Sequence, residues 1–154
     1  MQNGRVIAVI PARLGSERLP RKPLLPLAGR PLLEWVWRRV AGFSGIDAVV
    51  VATDAAEVVA LCEGIGARAL LTSAEHASGT ERVAEVAARP EFADAEIIVN
   101  VQGDEPFVAA EHVAGAVAKV RAGFDIGTVA APLATLAAWR DPAVVKVVRR
   151  ADGA

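Results

Sequence analysis

The chain has 154 residues, 17 of them basic and 18 acidic, a formal charge of −1 and a hydrophobic fraction of 53%. A chain of that size and balance buries roughly two-thirds of its unfolded surface, which predicts one soluble globular domain over residues 1–154 and excludes a disordered tract. Near-zero charge excludes a general nucleic-acid or membrane-surface binder, and the single cysteine, Cys62, excludes an internal disulfide and a thiolate zinc cluster.

One thiol fits a reducing compartment, so a cytoplasmic setting is expected. The run Val6–Ile10 is too short for a signal-peptide core, and no apolar run approaches the roughly 20 residues that span a bilayer.

In chain order, Val6–Ile10 predicts a first strand, nearly continuous in apolar residues and therefore buried on both faces. Leu33, Val36, Trp37 and Val40 follow at helical spacing. Ala48–Thr53 is the next strand. Val58, Leu61, Cys62 and Ile65 mark a helix that Gly66 ends in a left-handed conformation. A third helix carries Val83, Val86 and Ala87, and Ser78 with Glu81 three residues later has the spacing of a capping box.

Ile97–Val101 predicts another strand, and Val113, Ala116, Val117 and Val120 another helix. Ile126–Ala130 and Val144–Val148 are the last two predicted strands. Strand and helix alternate, and parallel neighbours joined by right-handed crossovers give an open sheet with helices on both faces. The expected fold is α/β, with a doubly wound, mostly parallel sheet sandwiched by helices. Asp152-Gly153 after the final run is a hairpin signal with no second strand behind it, so the domain is expected to be C-terminally truncated.

Open α/β sheets bind ligands beyond the carboxyl ends of their strands, so the loops there are where chemistry is expected. The first runs from Pro11 to Pro23 and sets Arg13, Arg18, Arg21 and Lys22 against Glu17, a local charge of +3. Ala12, Gly15 and Ser16 let backbone approach a ligand, while Pro20 and Pro23 limit the loop's alternatives. Arg13 is suited to a two-pronged grip on phosphate and Lys22 to a point charge, which makes a polyphosphate the expected guest; a merely solvated cationic loop is the alternative. Neither Gly-x-Gly-x-x-Gly nor a P-loop motif is present, which disfavours a dinucleotide-dependent dehydrogenase and a P-loop kinase.

The second loop, Gln102-Gly103-Asp104-Glu105-Pro106, follows Ile97–Val101. Asp104 reads either as a hard oxygen ligand for Mg²⁺ or as a turn or cap residue before the helix beginning near Ala109. Arg82 reads either as a site residue or as the partner of Glu81 or Glu85 on its own helix. His76 reads as a site residue or an ordinary turn residue, and Cys62 as core.

Three blocks, Ile10-Pro-Ala-Arg-Leu-Gly-Ser-Glu-Arg-Leu-Pro-Arg-Lys-Pro-Leu24, His76-Ala-Ser-Gly-Thr-Glu-Arg82 and Asn100-Val-Gln-Gly-Asp-Glu-Pro106, resemble the 3-deoxy-manno-octulosonate cytidylyltransferase (CMP-Kdo synthetase) family. The likeness continues through Ala143-Val-Val-Lys-Val-Val148 and spans essentially the whole chain. It implies a nucleotide-diphospho-sugar transferase-like fold and transfer of CMP from CTP to the anomeric hydroxyl of 3-deoxy-D-manno-octulosonate (Kdo). The products are CMP-Kdo, for lipopolysaccharide synthesis, and pyrophosphate, with Mg²⁺ as cofactor.

By that resemblance Arg13, Lys22 and Asp104 are catalytic, Arg18 assists the two cations, and Asp104 is the metal ligand. Pro11, Ala12, Ser16, His76, Ser78, Gly79, Arg82 and Gln102 complete the expected nucleotide site. Family members run well beyond residue 154, and the further part carries much of the sugar-acid site, a second metal-binding aspartate and most homodimer contacts. Little or no synthetase activity, and poor solubility, are therefore expected of these 154 residues alone. A sialic-acid cytidylyltransferase, and a non-catalytic CTP-binding module or remnant, are the alternatives.

Overall fold

In chain order the elements are β1 (Arg5–Ala12), the short hairpin β2 (Pro26–Leu27) and β3 (Arg30–Pro31), α1 (Leu32–Ala41), β4 (Ala48–Thr53), α2 (Ala56–Ile65), β5 (Arg68–Leu71), α3 (Gly79–Ala87), β6 (Ala95–Asn100), α4 (Ala110–Arg121) and α5 (Leu136–Arg140). They come from a computed structural model that describes residues 4–15 and 19–148. The main sheet has the order β5-β4-β1-β6 and every neighbouring pair is parallel.

Side chains alternate across β1. Ala8, Ile10 and Ala12 meet Leu33, Val36 and Val40 of α1 and Val58 and Cys62 of α2, while Ile7 and Val9 meet Val83 and Val86 of α3 together with Phe92. Val113 and Val117 of α4 cover Val6 and Ile97 and share Phe43, Ile46, Val99 and Val108 with the α1–α2 cluster. Helices thus cover both faces of a parallel sheet, as the alternating pattern predicts. Each fully buried Val, Leu or Ile contributes about 1.5–3 kcal/mol, so β1 anchors the domain. Burial pushes the Cys62 thiol up to about 11, which keeps it protonated in that core.

The predicted helix signals act as expected, with one shift. Gly66 stands at the end of α2 with φ 75°. Ser78 Oγ accepts from Glu81 N–H at 3.2 Å, but the Glu81 carboxylate accepts from Ala77 N–H at 2.8 Å, one residue earlier than a reciprocal box requires.

Two predicted strands are not strands. Ile126–Ala130 and Val144–Val148 form no ladder, and Ile126 (82% exposed) and Val145 (88%) face solvent. Among the described residues the outer edge of β6 stays unpaired, and neither segment takes it. Gly127 instead lies over the Ala116 carbonyl of α4. The Asp152-Gly153 turn lies outside the described residues. β5, α5 and the β2–β3 hairpin were not predicted. The hairpin turns on Ala28 and Gly29, with φ of 49° and 82°, and so adopts the primed geometry that matches strand twist. Among the described residues no helix is long and apolar enough to cross a membrane.

Candidate active site

β1 and β6 are neighbours in the sheet, so the loops leaving their carboxyl ends are neighbours too. Val101 N–H extends the ladder to the Val9 carbonyl at 3.0 Å. Beyond it, a Cβ placed on Gly103 would stand 2.7 Å from the Pro11 carbonyl oxygen. Only a residue without a side chain permits that approach.

The result is a cleft of about 260 Å³ lined by Pro11, Ala12, Arg13, Lys22, Pro23, Gly79, Arg82, Gln102, Gly103 and Asp104. The cationic loop and the acidic loop therefore share one cleft. Lys22 opens a short 3-10 turn, Lys22–Leu24, whose Pro23 is buried. The Arg21 N–H closes the loop on the Leu14 carbonyl at 3.0 Å. Lys22 Nζ then lies 2.5 Å from Asp104 Oδ2, across the cleft. Arg13 is exposed on the rim and makes no ion pair among the described residues.

Most of the predicted site residues come together there: Pro11, Ala12, Arg13, Lys22, Gly79, Arg82, Gln102 and Asp104. Ser78 caps the helix that carries Gly79. Ser16 and Arg18 lie outside the described residues. Arg21 leaves the cleft to pair with Glu57 of α2, with Nη1 3.1 Å from Oε1, so the loop's +3 charge is not all aimed at a ligand. Asp104 does not cap α4, whose preceding residue is Ala109 with no side-chain cap.

Arg82 pairs with neither Glu81 nor Glu85. It reaches Asp54 Oδ2 at 2.9 Å, the Ser73 carbonyl at 3.1 Å and Thr72 Oγ1. Asp54 and Thr72 were missed in the sequence. The rule that picked out Asp104, a carboxylate in the segment leaving the end of an apolar strand, also picks out Asp54 behind Thr53.

His76 does not line the cleft. Its Nε2 sits 2.7 Å from Glu85 Oε2, on the side of α3. Glu85 also accepts from Ser73 N–H at 2.8 Å and from Arg89 at 2.9 Å. The Ser73 amide above all, then Arg89 and His76, hold the Glu85 carboxyl down at about 2. A folded-state value below the ordinary 4.5 means that the contribution is complete above that value and is lost as pH falls towards 2. Wild type should melt about 2–4 °C above Glu85→Gln at neutral pH, and the gap should close across that acid window. A gap that stays constant down to pH 2 contradicts this.

The donor set fits a particular kind of metal. Among the described residues no group of three or more His, Cys, Asp or Glu side chains could cage an ion. A lone hard carboxylate facing cationic side chains across a cleft is compatible with Mg²⁺, which binds through one or two carboxylates and completes its shell with water and ligand oxygens.

Comparison with known proteins bears on the family and the fold. A family model described as cytidylyltransferase matches residues 7–154. The 3-deoxy-manno-octulosonate cytidylyltransferase of Gemmatimonas aurantiaca is 53% identical over 144 residues, 93% of this chain and 55% of that protein. The enzyme of the same name from Verminephrobacter eiseniae is 47% identical over 153 residues, 98% of this chain and 56% of that protein. The chain therefore spans about half the length of the curated relatives it matches.

A solved CMP:2-keto-3-deoxy-manno-octonic acid synthetase in complex with CTP aligns with a TM-score of 0.71 at 38% identity, over 77% of this chain and 48% of that one. A cytidylyltransferase from Leptospira borgpetersenii, at 24% identity and a TM-score of 0.66, bears on the fold alone. A match that runs from Ile7, the third residue of β1, to residue 154, with relatives this similar, places the chain in the cytidylyltransferase family.

Proposed function

We propose that residues 1–154 are the nucleotide-binding α/β domain, incomplete at its C-terminus, of an enzyme that transfers CMP from CTP to the anomeric hydroxyl of Kdo. The carrying observation is the convergence of Arg13, Lys22 and Asp104 on one cleft at the carboxyl ends of β1 and β6. The acceptor is taken from the names of the relatives. The product serves lipopolysaccharide synthesis in the cytoplasm, and the full-length protein is a homodimer.

In this reading the Kdo hydroxyl attacks the α-phosphorus in line and pyrophosphate leaves. Phosphoryl transfers of this kind depend on positioning and charge stabilisation more than on covalent help from the protein. Arg13 and Lys22 hold the triphosphate and offset negative charge as it builds on the leaving oxygens. Gln102 faces nucleotide or sugar. Gly79 and Ser78, at the start of α3, present backbone N–H groups to polar atoms of the nucleoside. Asp104 would hold Mg²⁺, which supplies charge neutralisation and a template for the phosphates.

Calorimetric titration of the 154-residue chain with CTP tests this, and saturable binding that strengthens with Mg²⁺ is expected. No heat at millimolar CTP, with or without Mg²⁺, overturns the reading. Incubating the full-length protein with CTP and either Kdo or sialic acid decides the acceptor by pyrophosphate release. Transfer to sialic acid alone rejects Kdo, and binding without any transfer makes this a CTP-binding module.

A further inference from the structure

Arg82 is 2% exposed, yet it borders the cleft. A guanidinium so deeply placed is tolerated only where its donors are met, and here they are met by the ends of two strands. Thr53 closes β4 and Asp54 follows it, and Thr72 and Ser73 follow β5. Thr72 reinforces the junction, donating from both its N–H (2.8 Å) and its Oγ1 (3.1 Å) to the Thr53 carbonyl.

One side chain of α3 therefore gathers β4 and β5 at their functional ends. The first turn of α3 is pinned as a consequence. A Cβ on Gly79 would stand 3.1 Å from Pro11 Cγ, so the turn rests against the carboxyl end of β1 and forms the cleft wall beside it. Among the described residues no buried side-chain nitrogen or oxygen lacks a partner, so the Arg82 fork is engaged before any ligand arrives.

We propose that Asp54 and Arg82 are a positioning pair: they fix the wall made by the first turn of α3, against which the nucleoside end of CTP rests, while Arg13, Lys22 and Asp104 hold the phosphate end. This rests on the reading of the cleft as a CTP site. It departs from the assignment of Arg82 as a nucleotide contact, because the guanidinium acts through α3. Arg82 serves here as a rigid fork, and lysine, a point charge on a flexible stem, cannot reproduce it.

The test compares Arg82→Lys and Asp54→Asn with wild type by titrating each, in Mg²⁺, with CTP and with inorganic tripolyphosphate. CTP binding is expected to weaken about 10-fold or more in both variants, which corresponds to losing about 1.4 kcal/mol of contact between the displaced wall and the nucleoside. Tripolyphosphate binding should stay within about 2-fold, because its partners are untouched. Equal weakening of both ligands makes the pair a general structural brace and overturns the proposal, as does unchanged CTP binding.

If Arg82→Lys melts below the assay temperature, Asp54→Asn and Thr72→Val, which leave Arg82 in place, carry the same comparison. Wild type that binds tripolyphosphate but shows no preference for CTP removes the nucleoside site itself. In that case the function proposed above fails first, and the positioning pair with it.

Discussion

Asp104→Asn is expected to change CTP binding in opposite directions according to the metal. In wild type Asp104 and Lys22 neutralise each other across the cleft at 2.5 Å. Metal alone must compete with an ammonium for the carboxylate, and metal-free CTP must draw Lys22 away from its partner. On the proposed reading Mg²⁺ bound to CTP would satisfy both groups at once, so the pair would make the two ligands favour each other reciprocally.

The asparagine variant should lose most of the Mg²⁺ enhancement, about 10-fold or more in Kd, as expected for a lost charged contact of about 1.5–3 kcal/mol. Without metal it should bind CTP up to about 5-fold more tightly than wild type, because an exposed pair of this kind holds Lys22 with about 0.2–1 kcal/mol. Titrations with and without Mg²⁺ separate the two effects. An Mg²⁺ dependence equal to wild type's removes Asp104 from the metal site. Metal-free binding no tighter than wild type's removes the competition.

The second large effect is steric. In Gly103→Ala the new methyl meets the Pro11 carbonyl at 2.7 Å and the Ile10 Cγ2 at 3.6 Å, and the first of these is backbone. Either β1 or the loop after β6 must move, at a cost of about 1–3 kcal/mol, which lowers Tm by several degrees at about 2–4 °C per kcal/mol. Asp104 is the next residue, so CTP affinity should fall by more than the stability loss alone would bring.

Gly115→Ala is the control. It lies within α4 with nothing within 4 Å of its would-be Cβ, so alanine there should raise stability by about 0.5–1 kcal/mol. Differential scanning of both variants checks the opposite signs. A Gly103→Ala protein that melts and binds like wild type rejects the close approach of the two loops.

What could be read from the sequence divides along physical lines. Val6–Ile10 and Ala48–Thr53 are runs that the sheet buries, and their composition alone marks them. Ile126–Ala130 also reads as apolar and β-branched, yet Gly127 packs on the Ala116 carbonyl of α4 and the segment forms no ladder, because hydropathy describes what a segment can bury and says nothing of where it docks. Arg68–Leu71 has the converse character: four residues beginning with arginine carry too little pattern, and the ladder with Val50–Thr53 alone makes them a strand.

The site follows the same division. Arg13, Lys22 and Asp104 were legible because charge and small residues cluster directly after predicted strands. The Arg21–Glu57 and Arg82–Asp54 pairs were not, since each links residues more than 25 positions apart and depends on which helix lies over which strand. His76 sits in a recognisable block yet turns to Glu85, a choice made by side-chain geometry on one face of α3.

The place of β1 between β4 and β6 has a kinetic corollary. Amides bonded on both flanks and sealed under helices exchange with solvent only when much of the domain opens, whereas peripheral segments fray at low cost. The groups proposed to meet the triphosphate hang from the most protected strand of the sheet and from its immediate neighbour, so breathing at the periphery leaves their spacing undisturbed.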